Sequence, residues 1–278
     1  VCLKKIVELF TGERELKEVW GLLGFHKMKK LLITVAGWII QSVWRVIPMA
    51  QLGYILAVLS EVGNRELARQ IECLKSIDRN IIGRYCGSLE DKMMQSYFYL
   101  KALHYFPSNP KYAHIEIGVL FGGSILLKLS LLKRFAKKQT VIAIDPLEGY
   151  YKRGSIDPKT QVEVNEENFR KNISSFGFDG SRLKLINKLS TDRSIVGLVS
   201  GYTVATLFID GDHSYKGIKH DWDTFSPLVA QCGYVIFDDY NEPGWADVTS
   251  FVDEIIRTRS NDWRLVGCLD TTLVLQRL

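Results

Sequence analysis

The stretch His114-Ile115-Glu116-Ile117-Gly118, running on to Gly122-Gly123-Ser124, decides the fold of this chain. A short apolar run of strand character stops at a glycine, and a second pair of glycines opens onto a helical pattern from Ser124 to Lys137. Glycine accepts the backbone angles of a sharp turn and lets a ligand lie against bare amides. A strand bending through glycines into a helix is the opening unit of an α/β sheet. Ligands of such sheets collect at the carboxyl ends of the strands.

Outward from that unit, strands and helices alternate. Strands are expected at Thr140 to Ile144, Leu183 to Ile186, Ala205 to Ile209 and Tyr234 to Phe237, and helices at Glu163 to Phe176, Gly217 to Leu228 and Trp245 to Thr258. Arg264 to Leu269 and Thr272 to Gln276 read as a closing hairpin with Asp270 at its turn. This alternation predicts an α/β fold, a doubly wound and mostly parallel sheet with an antiparallel strand at the end. Upstream, apolar residues recur at helical spacing, as in Leu52, Ile55, Leu56 and Leu59, stop at Gly63-Asn64, and restart through Leu67, Ile71, Leu74 and Ile77. Phe106-Pro107-Ser108-Asn109-Pro110 breaks the pattern. It divides an N-terminal helical segment, 1–105, from an expected cofactor-binding domain, 106–278.

Hydrophobic residues make up 46% of the 278 and charged residues 24%, enough for a sizeable core. The net charge of +5 is mild and no Lys/Arg run resembles a nucleic-acid arm, so no nucleic-acid partner is expected. Cys2, Cys73, Cys86, Cys232 and Cys268 are odd in number and lack CxxC spacing, which points to reduced thiols in a cytoplasmic protein rather than a zinc site. Leu31 to Trp44 is apolar but falls short of the roughly 20 residues a bilayer span needs, so it reads as a buried or interfacial helix.

The strand ends carry the chemistry. The glycine pattern is not GxGxxG, so a dinucleotide is not the natural guest. Asp145, closing the second strand in Ala143-Ile144-Asp145-Pro146, can accept both hydroxyls of a ribose. Ser190, in Leu189-Ser190-Thr191-Asp192 after the third strand, can edge an adenine ring. Together these predict a nucleoside-type cofactor. Asp210 ends the fourth strand, while Asp238 and Asp239 end the fifth. Neighbouring parallel strands would bring the three carboxylates together, a costly arrangement that a divalent cation resolves. All-oxygen ligands favour Mg²⁺, Mn²⁺ or Ca²⁺.

With these motifs in hand, the chain resembles a class I S-adenosylmethionine-dependent methyltransferase. More narrowly, it is similar to the metal-dependent O-methyltransferases that modify sugars in antibiotic biosynthesis, and more distantly to catechol O-methyltransferase. The resemblance covers about residues 90–278 and implies a seven-stranded, Rossmann-like sheet. It implies that Glu116, Gly118, Gly122, Gly123 and Ser124 surround the methionine part of S-adenosyl-L-methionine, with Asp145 on its ribose. It also implies Mg²⁺ on Asp210, Asp238 and Asp239, and His213 as general base. Asp239 stands where catechol O-methyltransferase would have Asn, a departure shared with the sugar-modifying branch. Asp212 remains open between a water-mediated metal ligand, an orienting group for His213 and a helix cap.

The expected reaction is methyl transfer to a hydroxyl of a small acceptor such as a sugar. The N-terminal helices are expected to cover the acceptor or to mediate assembly, a homo-oligomer included. A second reading keeps the cofactor pocket but makes the chain a non-catalytic scaffold, and a third makes it a nucleotide-dependent oxidoreductase. The intact Asp210, His213, Asp238 and Asp239 set disfavours the former, and the lack of GxGxxG the latter. The long segment from Leu147 to Asn165, with Tyr150, Tyr151 and Lys152-Arg153-Gly154, has the length of an active-site lid.

Overall fold

The structure, a computed structural model, describes residues 64–149 and 155–278. The helical patterns expected at Leu31 to Trp44 and Leu52 to Leu59, and the lid residues Tyr150 to Gly154, lie outside the described residues. Two helices come first, α1 (Asn64–Asn80) and α2 (Leu89–Tyr105). Then β1 (Tyr112–Ile117), α3 (Gly123–Arg134), β2 (Thr140–Ile144), α4 (Glu166–Ser175) and β3 (Leu183–Ile186) alternate, followed by the short α5 (Ile195–Val199). The chain continues through β4 (Thr203–Ile209), α6 (Tyr215–Phe225), β5 (Val229–Phe237), α7 (Ala246–Thr258), β6 (Trp263–Leu269) and β7 (Thr272–Arg277).

The seven strands form one sheet in the order β3-β2-β1-β4-β5-β7-β6. β1 to β5 pair in parallel, and β7 runs antiparallel to both β5 and β6. This is the doubly wound, Rossmann-like arrangement that the alternation predicts. Asp270 turns the last hairpin in the left-handed region at φ 50°.

Helices cover both faces, so the central strands bury both sets of side chains and read as continuous apolar runs. Ile115, Ile117, Ile142, Ile144, Leu207 and Ile209 pack on one face with Ile218, Trp222 and Phe251 of α6 and α7. On the opposite face Val141 and Ala143 meet α1, α3 and α4, and Ala205, Phe208 and Ile236 meet Met94, Phe98 and Ala102 of α2. α2 and the sheet thus share one core.

Register sets up the site. Ile117 lies opposite Ile144 on one side and Ile209 on the other, and Ile209 lies opposite Phe237. The next residue of each strand is Gly118, Asp145, Asp210 and Asp238, so these four stand in line along one edge of the sheet.

Candidate active site

The bend after β1 is built for close packing. Gly118 (φ 82°) and Gly122 (φ 84°) occupy the left-handed region, which disfavours side chains. A Cβ on Gly118 would lie 1.9 Å from the carbonyl oxygen of Asp210. On Gly122 it would lie 2.8 Å from the Phe169 ring, and on Gly123 2.5 Å from the Tyr85 ring. The glycines therefore admit the protein's own rings and backbone, a use that the motif alone does not reveal.

Glu116 and Ser124 meet each other rather than open space. The Ser124 hydroxyl donates to one carboxylate oxygen of Glu116, and the Lys128 ammonium pairs with the other. All three side chains are buried. A charge this deep persists only when paired, and loss of one partner of such a pair costs about 3–5 kcal/mol. Lys128 is absent from the expected site, yet a lone lysine within Ile125-Leu126-Leu127-Lys128-Leu129 is the sequence signal of a buried partner.

Asp145 ends β2 beside the bend. Its Oδ2 accepts from the amides of Val119 (2.7 Å) and Leu120 (3.2 Å), and its Oδ1 from Leu147 (2.7 Å). Burial pushes its pKa up, and those three amides oppose the shift. A carboxylate offers about four acceptor positions, so about one remains for a ligand. Three of the positions expected to meet ribose hydroxyls are thus taken by backbone amides. Ser190 comes next to α6, where its carbonyl oxygen lies 3.3 Å from His220 Nε2. Its hydroxyl faces Asp221, a fully buried carboxylate that burial pushes up to about 6 against the opposing Ser190 hydroxyl.

The acidic residues converge with His213. His213 Nε2 lies 3.3 Å from Asp210 Oδ1 and 3.2 Å from Asp239 Oδ2. Among the described residues these three form the group whose potential metal-ligating atoms all lie within 4.8 Å of one another. Asp238 falls outside that group. Its carboxyl is turned toward Thr272, with Oδ1 3.5 Å from the Thr272 hydroxyl. Asp239 reaches the group because its backbone is left-handed (φ 57°). The structure thus regroups the expected Asp210, Asp238 and Asp239 set around His213.

Electrostatics mark this corner as strained. Burial raises the pKa of Asp210 well above the ordinary range, and Asp239, Glu116 and Asp145 add to it. Burial likewise raises Asp238, helped by Asp210, Asp239 and Asp91. Asp239 is raised by burial against the opposing pull of His213. Burial lowers the His213 pKa, opposed by Asp239 and Asp212, and its ring lies 4.6 Å from that of Trp245. One imidazole against three carboxylates leaves excess negative charge, so the donor set fits a divalent cation. Asp212 stands aside: its Oδ1 accepts from the Ser214 amide at 2.9 Å, the geometry of a turn entering α6.

Residues 115–240 match the family model described as a methyltransferase domain. Over these residues the chain is similar to that domain, and the sheet as a whole has the fold of a solved O-methyltransferase. The O-methyltransferase NovP superposes with a TM-score of 0.57 at 19% identity, over 76% of this chain and 97% of NovP. CalS11, a TDP-rhamnose 3'-O-methyltransferase of calicheamicin biosynthesis, is similar at a TM-score of 0.46 and 15% identity, over 83% of this chain and 87% of CalS11. In sequence, an uncharacterized protein of Acanthamoeba polyphaga mimivirus is 32% identical over 146 residues, which is 51% of this chain and 58% of that protein. Among the described residues no helix is long and apolar enough to cross a membrane.

Proposed function

We propose that this chain is a metal-dependent O-methyltransferase that moves a methyl group from S-adenosyl-L-methionine to a hydroxyl of a small, glycosylated acceptor. The observation that carries this reading is the convergence of Asp210, His213 and Asp239 within 4.8 Å, at the strand edge that also bears Gly118 and Asp145. NovP, which shares the fold, is an O-methyltransferase by name. The sugar acceptor rests on the likeness of Asp238-Asp239 to the sugar-modifying branch.

The residues divide the work. Asp145 holds the ribose through its one open acceptor position, and the bend from Gly118 to Ser124 borders the methionine part. Asp210 and Asp239 hold the cation, with Asp238 adding negative charge behind them. When bound, the cation supplies Lewis acidity to an acceptor hydroxyl, and the cofactor supplies an electrophilic methyl on sulfonium. His213 takes the hydroxyl proton. Burial keeps it neutral near pH 7, which a general base requires. Base assistance of this kind contributes about 10²- to 10⁴-fold, and fixed placement of the reactants adds more.

Calorimetry with S-adenosyl-L-methionine, with and without Mg²⁺, tests the two ligands. Mass spectrometry of glycosylated and catechol-like acceptors tests the transfer, as a gain of one methylene unit. Full turnover in excess chelator would remove the cation from the scheme, and a cofactor titration without heat or saturation would remove the scheme entirely.

A further inference from the structure

Asp91 belongs to α2, far in sequence from the acidic edge, yet its carboxylate reaches the loop beside it. At the start of α2 the Ser88 hydroxyl accepts from the Asp91 amide (3.1 Å), and Asp91 Oδ2 accepts from the Ser88 amide (3.1 Å) and hydroxyl (2.8 Å). This reciprocal cap satisfies helix amides that have no partner within the helix. A cap needs little more, and most such side chains lie at the surface. Asp91 instead is 1% exposed.

The remaining bonds of Asp91 go to the turn between β6 and β7. Oδ1 accepts from the Thr271 amide (3.1 Å) and the Thr272 hydroxyl (2.9 Å), and Oδ2 from the Thr271 hydroxyl (3.2 Å). That turn holds the acidic loop at Tyr240 and packs against it at Asp238. The Thr271 carbonyl accepts from the Tyr240 amide (2.8 Å), and the Thr272 hydroxyl lies 3.5 Å from Asp238 Oδ1. Thr272 is itself fully buried. One carboxylate therefore ties the first turn of α2 to both sides of the segment Asp238–Tyr240.

We infer that Asp91, acting through Thr271 and Thr272, is a positioning residue that fixes the Asp238–Asp239 segment in its ligand-bearing conformation. Asp239 gains from such a brace because its left-handed backbone (φ 57°) is a minority conformation even for aspartate. Asp238 needs it because Asp210, Asp239 and Asp91 itself all set like charge near it, so its place depends on the hydrogen bonds of the turn. The inference extends the metal-site reading above, and it assigns to α2 a task beyond packing: the site is complete only when the helix ahead of the sheet is docked.

Three variants test it. Thr272→Val keeps the β-branched shape and removes the hydroxyl, Thr272→Ser restores the hydroxyl, and Ser88→Ala removes the cap hydroxyl while leaving the Thr271 and Thr272 bonds of Asp91 in place. Mn²⁺ affinity by calorimetry and amide hydrogen exchange of the peptide spanning 238–241 are read together with the melting temperature. Loss of a residue that orients metal ligands weakens ion affinity by about 10- to 100-fold. Thr272→Val is expected to show that loss with faster exchange at 238–241. Thr272→Ser should return both toward the parent, and Ser88→Ala should lower the melting temperature while leaving both unchanged. Unaltered exchange at 238–241 in Thr272→Val would overturn the inference, whether or not the parent protein binds Mn²⁺. A parent that binds no Mn²⁺ would separately end the metal reading.

Discussion

Gly118 and the carbonyl of Asp210 are in such close contact that a single methyl on the glycine would sit 1.9 Å from that oxygen. The glycine bend after β1 and the loop that starts the acidic side are thus one packed unit. Gly118→Ala adds a left-handed alanine and a backbone clash, together on the order of 2–5 kcal/mol. Gly177, at φ 73° with open space around its Cβ position, is the control. Gly177→Ala should cost only about 1 kcal/mol. Urea unfolding of both variants checks this, and equal losses would mean that the contact is unimportant.

Asp239→Asn separates stability from activity. Asn tolerates the left-handed backbone of this position and removes one of the crowded, desolvated charges. In chelator the variant should melt higher than the parent. With Mg²⁺ the parent should gain more than the variant, because a ligand stabilises the state that binds it. Methyl transfer should fall by at least about 10²-fold. A variant that melts lower in chelator would contradict the proposed charge strain.

His114 is fully buried, with Nδ1 2.9 Å from the Thr206 hydroxyl, and burial together with Lys128 lowers its pKa to about 3. Between the unfolded value of 6.5 and about 3, the unfolded chain binds a proton that the native state refuses. Stability from this group is therefore complete above pH 6.5 and is lost as the pH falls, at up to about 1.4 kcal/mol per pH unit. The raised carboxylates act in the opposite sense, so the difference between the parent and His114→Leu is the quantity to measure. Denaturant titrations from pH 4 to 7 should show the variant with the shallower acid loss.

Asp221 contributes with the reverse sign. Its native pKa of about 6 lies above the ordinary 3.8, so the native state binds the extra proton, and stability falls as the pH rises through about 6. Asp221→Asn removes that penalty. It should stabilise the protein by about 3 kcal/mol at pH 8 and by much less at pH 4. Thermal melts at the two pH values decide the matter, and a variant destabilised at pH 8 would show that the Ser190 hydroxyl outweighs the burial penalty.

How much of this was legible beforehand differs between elements. Thr140–Ile144 and Leu183–Ile186 match the expected strands residue for residue. β5 starts at Val229 rather than Tyr234: Gln231, Cys232 and Gly233 interrupt its apolar pattern, and the left-handed Cys232 (φ 65°) with a register shift against β4 marks a bulge within the strand. The strand-end positions of Asp145, Asp210 and Asp238 were readable because each follows an apolar run. The direction in which each carboxylate points was not: Asp145 is occupied by three amides, and Asp238 turns to Thr272.

The amino-acid sequence by itself determined the alternation of strands and helices, the parallel order of chemistry along one edge, and the residue types available there. These are written in periodicity and in turn residues, which act over a few neighbours. Only the tertiary structure decided that Lys128 neutralises Glu116, that His213 stands between Asp210 and Asp239, and that Asp91 braces a turn at Thr271. Such pairings depend on register and on how helices dock, and no local pattern specifies which distant side chains will share a buried, low-dielectric space.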